Sequence, residues 1–94
     1  MNSLEGELRA RSTEQKMIRI SVKLKPEYIF SLVDNSVIYT PGTANKELFR
    51  VIHGIYHSVT DSQSVELILG DGMVLIPYEA IGSYRFGNKV RRNS

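Results

Sequence analysis

The chain has 94 residues, 41% hydrophobic and 23% charged, with no cysteine and a formal net charge of +2. That size allows one domain with one small core, and the composition excludes global disorder. The lack of cysteine excludes a disulfide scaffold, thiolate zinc sites and cysteine nucleophiles, and it fits a reducing, cytoplasmic setting. No apolar run approaches the roughly 20 residues of a membrane-spanning helix, and Met1-Asn2-Ser3-Leu4-Glu5 has neither the basic start nor the apolar stretch of a signal peptide.

The N-terminal segment predicts a helix from about Ser3 to Thr13. Asn2 and Glu5 have capping-box spacing, Glu5→Arg9 and Glu7→Arg11 are i,i+4 pairs in the favourable order, and Leu4 and Leu8 share a face. Such a helix is marginal alone, so it must dock through those leucines. From Met17 the period changes to two: Ile18, Ile20, Val22 and Leu24 alternate with Arg19, Ser21, Lys23 and Lys25, predicting a strand with one buried and one basic face. Pro26 ends it. Tyr28 to Val33 reads as either strand or helix. The strand, which would turn back through Asp34-Asn35-Ser36 into Val37 to Thr40, is favoured because a seven-residue helix would be short.

Leu48 to Thr60 reads as a long strand with a bulge at Gly54. Val65 to Leu69 and Met73 to Ile76 flank Gly70-Asp71-Gly72, a hairpin signal. Tyr78 to Ile81 reads as a one-turn break before a short last strand, Tyr84 to Phe86. Residues 87–94 read as a flexible basic tail. The organisation expected is therefore a helix and lead-in over 1–15, a barrel domain over 16–86, and the tail. The fold class is mostly β, with five or six short strands in a small SH3/Sm-like barrel behind a short N-terminal α-helix. Ile20, Val22, Val51, Leu67 and Val74 are the expected core. Tyr84–Phe86 and Met73–Ile76 are the edges expected to pair between subunits of a homo-oligomer.

Gly54-Ile55-Tyr56 with Asp61, and the run Ile76-Pro77-Tyr78-Glu79-Ala80-Ile81, are similar to the two motifs of the Sm-like family, including its bacterial host-factor branch. The resemblance covers about residues 54–86, and the leading helix also resembles that family's. It implies a small barrel, assembly into a closed ring and RNA binding. Ser64 falls near the family's base-contacting Asn, and Tyr78 and Glu79 stand where the host-factor branch has Lys and His. The segment from Lys25 to Glu47 is an insertion relative to the family.

Nine of the twelve Lys and Arg residues lie in the terminal regions, and Arg19, Lys23 and Lys25 form a row on one strand, a pattern that fits phosphate contacts or a solvated face. Tyr56, Tyr78, Tyr84 and Phe86 are candidate stacking platforms, Tyr78 first among them, or else core. His53 and His57 lie four apart and, with Tyr56, could face a ligand or subunit interface. Same-face residues at that spacing are about 13 Å apart on a regular strand, too far for one metal, and no metal or cofactor is expected. No nucleophile motif or paired carboxylate suggests an enzyme. The expected function is a non-catalytic, oligomeric binding module that binds RNA. The alternatives are a small assembly or inhibitor protein acting through protein contacts, and a ring holding a small anionic ligand between subunits.

Overall fold

The computed structural model describes residues 3–12, 17–42, 50–60 and 63–93. A helix, α1 (Ser3–Ser12), precedes eight strands: β1 (Arg19–Leu24), β2 (Tyr28–Ser31), β3 (Ser36–Tyr39), β4 (Val51–Val59), β5 (Ser64–Leu69), β6 (Gly72–Pro77), β7 (Ile81–Phe86) and β8 (Lys89–Arg92). A single 3-10 turn, Tyr78–Ala80, separates β6 from β7. The strands form one curled, half-barrel sheet in the order β2-β3-β6-β5-β4-β1-β7-β8. All pairings are antiparallel except β3 with β6, which meet in parallel at Ser36 and Leu75.

The alternation in β1 sets the inside and the outside of the curl. Ile20, Val22 and Leu24 are buried, while Arg19 and Lys23 are exposed. The inner face gathers these with Ile52, Val65, Leu67, Val74, Ile76, Ile81 and Tyr84, and α1 covers the same core with Leu4 and Leu8, both fully buried. Both helical ion pairs form: Arg9 donates to Glu5 at 2.8 Å and Arg11 to Glu7 at 3.1 Å.

Val51 departs from expectation. It is 44% exposed, because its register partner on β1 is Lys23 and directly opposed residues share a face. Ile52 is the residue of β4 that turns inward. The irregularity in β4 lies between Tyr56 and Ser58, which makes His57 the extra residue opposite β5, and not at Gly54. Gly54 answers a different constraint. A Cβ there would lie 2.8 Å from Leu69 Cδ2 and 2.9 Å from the Ile68 carbonyl, so the absence of a side chain lets β5 approach β4.

The stretch from Tyr28 resolves as strand, and the β2–β3 hairpin packs Phe30 and Val37 against the core. The C-terminal residues are not a loose tail. A two-residue loop, Gly87-Asn88, returns the chain into β8, and Gly87 has φ +72°, a conformation that suits glycine. Gly70 does the same at +53° in the β5–β6 loop. Beyond β8, Asn93 joins three elements. Its Nδ2 donates to the Tyr78 and Ile81 carbonyls, and its Oδ1 accepts from the Leu4 amide. That last bond satisfies an otherwise orphan donor at the start of α1. The helix, barrel strands and C-terminal segment are thus one unit.

The edges expected to pair between subunits are covered within the chain. β8 occupies the free side of β7, and β3 meets that of β6 at Ser36 and Leu75. Among the described strands the open edges are β2 and β8.

Two stability measurements check this packing. Leu67→Ala should lower the unfolding free energy by about 2–5 kcal/mol, whereas Val51→Ala should stay within about 0.5 kcal/mol, both read by urea denaturation. Asn93→Ala should cost about 1–3 kcal/mol and should speed amide exchange in the first turn of α1 more than in β4 or β5.

Candidate nucleic-acid interface

The outer face of β1 is flanked by β4 and β7, and the register decides which side chains stand together. Ser21 lies between His53 on β4 and Arg85 on β7. Lys23 lies between Val51 and Ser83, and Ser83 in turn faces Arg92 on β8. Arg85 faces outward because Tyr84 and Phe86 on either side of it pack inward.

Around Ser21 the outer face forms an open groove in two adjoining lobes of about 440 and 390 Å³. Arg19, Lys23, Arg85 and His53 line it, together with Ser21, Ser83 and the apolar Val51, Ile55, Ile68 and Val90. No Asp or Glu is among the described lining residues. Arg19 and Lys23 form no ion pair among the described residues, in contrast to the helix cations. Ser21 Oγ lies 2.7 Å from His53 Nδ1, and Arg85 Nη2 donates to Ser21 Oγ at 3.4 Å.

The other residues expected at a site are placed elsewhere. Lys25 lies past the end of β1 with its amide bonded to the Ala80 carbonyl, and its side chain runs beside Gly82, outside the groove. Tyr78 is 4% exposed and sits in the core, so its ring cannot stack on a base. The reason is the 3-10 turn, which directs Tyr78 and Ala80 inward and leaves Glu79 at the surface. Tyr56 packs half-buried against the same core. Tyr84 is buried, with its hydroxyl donating to Glu7 at 3.2 Å, and this burial pushes its pKa above the ordinary tyrosine value. The Arg11 guanidinium covers the Phe86 ring at 4.4 Å. None of the four aromatics offers an open face in the groove.

His53 and His57 are both exposed on β4 but engage different partners. His57 Nδ1 lies 2.9 Å from Glu66 Oε1, on the β5 side of the bulge, and Ser58 donates to the same oxygen at 3.3 Å. Ser58 therefore meets the atoms that already bond each other, which is not the relay of a hydrolytic triad, where the two imidazole nitrogens serve different partners. Among the described residues no group of three His, Cys, Asp or Glu could hold a metal, and no helix is long and apolar enough to cross a membrane.

Ser21 and Arg85 are the groove residues that reading the sequence alone passed over. Arg85 carried a signal, since it alternates with two aromatics. Its adjacency to Ser21, 64 residues away in the chain, follows only from the pairing of β1 with β7. Comparison with protein-family models, with curated proteins and with solved structures finds no match to this chain.

Proposed function

We propose that this protein is a non-catalytic module that binds single-stranded RNA through the outer groove of β1, β4 and β7. The observation that carries the reading is the convergence of Arg19, Lys23 and Arg85 on one groove whose described lining holds no carboxylate. Cations without a carboxylate partner attract phosphates and release counterions when they bind them. The helix cations do not contribute to that surface, because Glu5 and Glu7 engage Arg9, Arg11 and Arg91. With the aromatics drawn into the core, recognition rests on the backbone of the nucleic acid and not on stacked bases. The leading helix and the one-turn break before β7 support an SH3/Sm-like assignment of the half-barrel. The setting is cytoplasmic, in keeping with a chain free of cysteine.

A second reading, self-assembly, has its own observation. The open edge strand β2 follows Glu27 and leads to Asp34, while the opposite open edge, β8, carries Lys89 and Arg92 beside Arg91, which pairs with Glu7. The two edges are complementary in charge, so the sheet of one copy could continue into the next, head to tail. This places the subunit contact on β2 and β8, in place of β6 and β7.

Binding is tested by titrating a short single-stranded oligoribonucleotide at increasing salt, starting from about 50 mM. Arg19→Ala, Lys23→Ala and Arg85→Ala should each weaken binding for every sequence. Each should also flatten the slope of log K against log salt by about 0.7. Lys25→Ala should change the slope less. Tyr78→Ala should destabilise the fold by about 3–5 kcal/mol without a specific effect on the folded protein's salt slope. No binding by the wild type at the lowest salt would overturn the RNA reading.

Self-assembly is tested by light scattering at micromolar concentration. A multimer that dissociates when Lys89→Glu and Arg92→Glu together reverse the charge of the β8 edge supports the edge contact. A monomeric mass for the wild type excludes it.

A further inference from the structure

Resting on the groove reading above, we infer that Ser21 with His53 and Arg85 forms a dedicated subsite for a phosphomonoester, the terminal phosphate of a nucleic-acid strand. A diffuse basic surface would need only cations. This groove has more: a hydroxyl held between an imidazole at 2.7 Å and a guanidinium at 3.4 Å, on three adjacent strands. Adjacent strands lie about 4.8 Å apart and same-face residues on one strand about 7 Å apart. Arg19, Ser21, His53 and Arg85 therefore surround a space the size of one or two phosphates.

The hydrogen bonds available there favour a dianion. Arg85 is only a donor, so Ser21 Oγ accepts from it. When the Ser21 hydroxyl donates its hydrogen bond to an unprotonated His53 Nδ1, the imidazole carries its hydrogen on Nε2, and the groove then shows donors from Arg19, Arg85 and His53. In the opposite tautomer His53 donates to Ser21 and Nε2 becomes an acceptor, which repels a phosphate oxygen. A phosphate in the groove thus selects the first tautomer or the imidazolium, either of which carries an Nε2 hydrogen. The guanidinium groups match the phosphate oxygens in a bidentate fork. A terminal phosphomonoester offers more charge and more acceptor oxygens than an internal phosphodiester, so a strand end gains more from this cluster than its interior does. Beyond this cluster, towards β5, the groove is lined by the apolar Ile55 and Ile68, where the rest of the strand would run.

The experiment compares three forms of one short oligoribonucleotide: a 5′-phosphate form, a 3′-phosphate form and a form with no terminal phosphate. Binding is followed by anisotropy, with inorganic phosphate as a separate probe. Expected is a preference of about tenfold for one phosphorylated end over the unphosphorylated strand in the wild type. Ser21→Ala and His53→Asn should each collapse that ratio towards one, with circular dichroism confirming the fold. Lys23→Ala should weaken all three forms together and keep the ratio. Nitrogen-15 spectra of His53 should show that inorganic phosphate increases the population carrying a hydrogen on Nε2. Equal affinity for the three forms, or a ratio that survives both Ser21→Ala and His53→Asn, overturns the subsite while the RNA reading stands. A His53 response to inorganic phosphate without binding of any oligonucleotide keeps a phosphate subsite, and it overturns the RNA reading and the assignment to strand ends. If neither the oligonucleotides nor inorganic phosphate has an effect, both inferences fall.

Discussion

Most of this molecule depends on one strand having two faces. In β1 the burial of Ile20, Val22 and Leu24 forces Arg19, Ser21 and Lys23 to the outside, because successive strand residues point to opposite sides of a sheet. Its position in the middle of the sheet, bonded to β4 on one side and β7 on the other, brings both neighbours under the same division. On the inner side this builds the core that α1 closes. On the outer side it aligns His53, Ser21 and Arg85 in one row across three strands. The core and the candidate site are two consequences of a single register, so a slip of one residue in β1 would bury cations and expose valine and isoleucine.

The second organising feature is the way the chain ends are held. A small domain has little core to spare, and a ten-residue helix with two buried leucines would fray if left alone. It is retained by contacts from the far end of the chain: Asn93 to the Leu4 amide, Arg91 to Glu7, and Tyr84 to Glu7. These bonds have an electrostatic consequence for the rest of the surface. The carboxylates of the helix face cations of the helix and of β8, whereas among the described residues Arg19, Lys23 and Arg85 on the outer face of β1 and β7 form no ion pair.

Additional strands also change how the sheet meets other molecules. The β2–β3 hairpin lies against β6, anchored by Asn35 donating to the Met73 carbonyl, and β8 lies against β7. Both cover backbone that would otherwise be unpaired at the borders of a smaller barrel. The newly outermost strands differ in character. β8 is basic and wet, whereas β2 keeps half-buried aromatic and aliphatic side chains.

The sequence by itself determined the local elements. The helix with its two ion pairs, the buried and exposed faces of β1 and the hairpin about Gly70 follow from period, charge spacing and turn residues, all of which act over a few positions, whereas the stretch from Tyr28 fits strand and helix alike until it pairs with β3. The Gly87-Asn88 loop carried the same kind of signal as the other hairpin, but it was masked by the charge of the residues after it, which resembles a solvated tail. What only the tertiary structure decided are matters of pairing. Val51 reads as apolar and therefore inner, but its register with Lys23 turns it out. Tyr78 reads as either a stacking platform or a core residue, and a 3-10 turn decides for the core. Ser21, His53 and Arg85 have no common spacing in the chain, and their meeting depends on hydrogen bonds between strands tens of residues apart. Side-chain alternation is written into each strand, whereas the identity of its neighbours is fixed only when the whole sheet closes over one core.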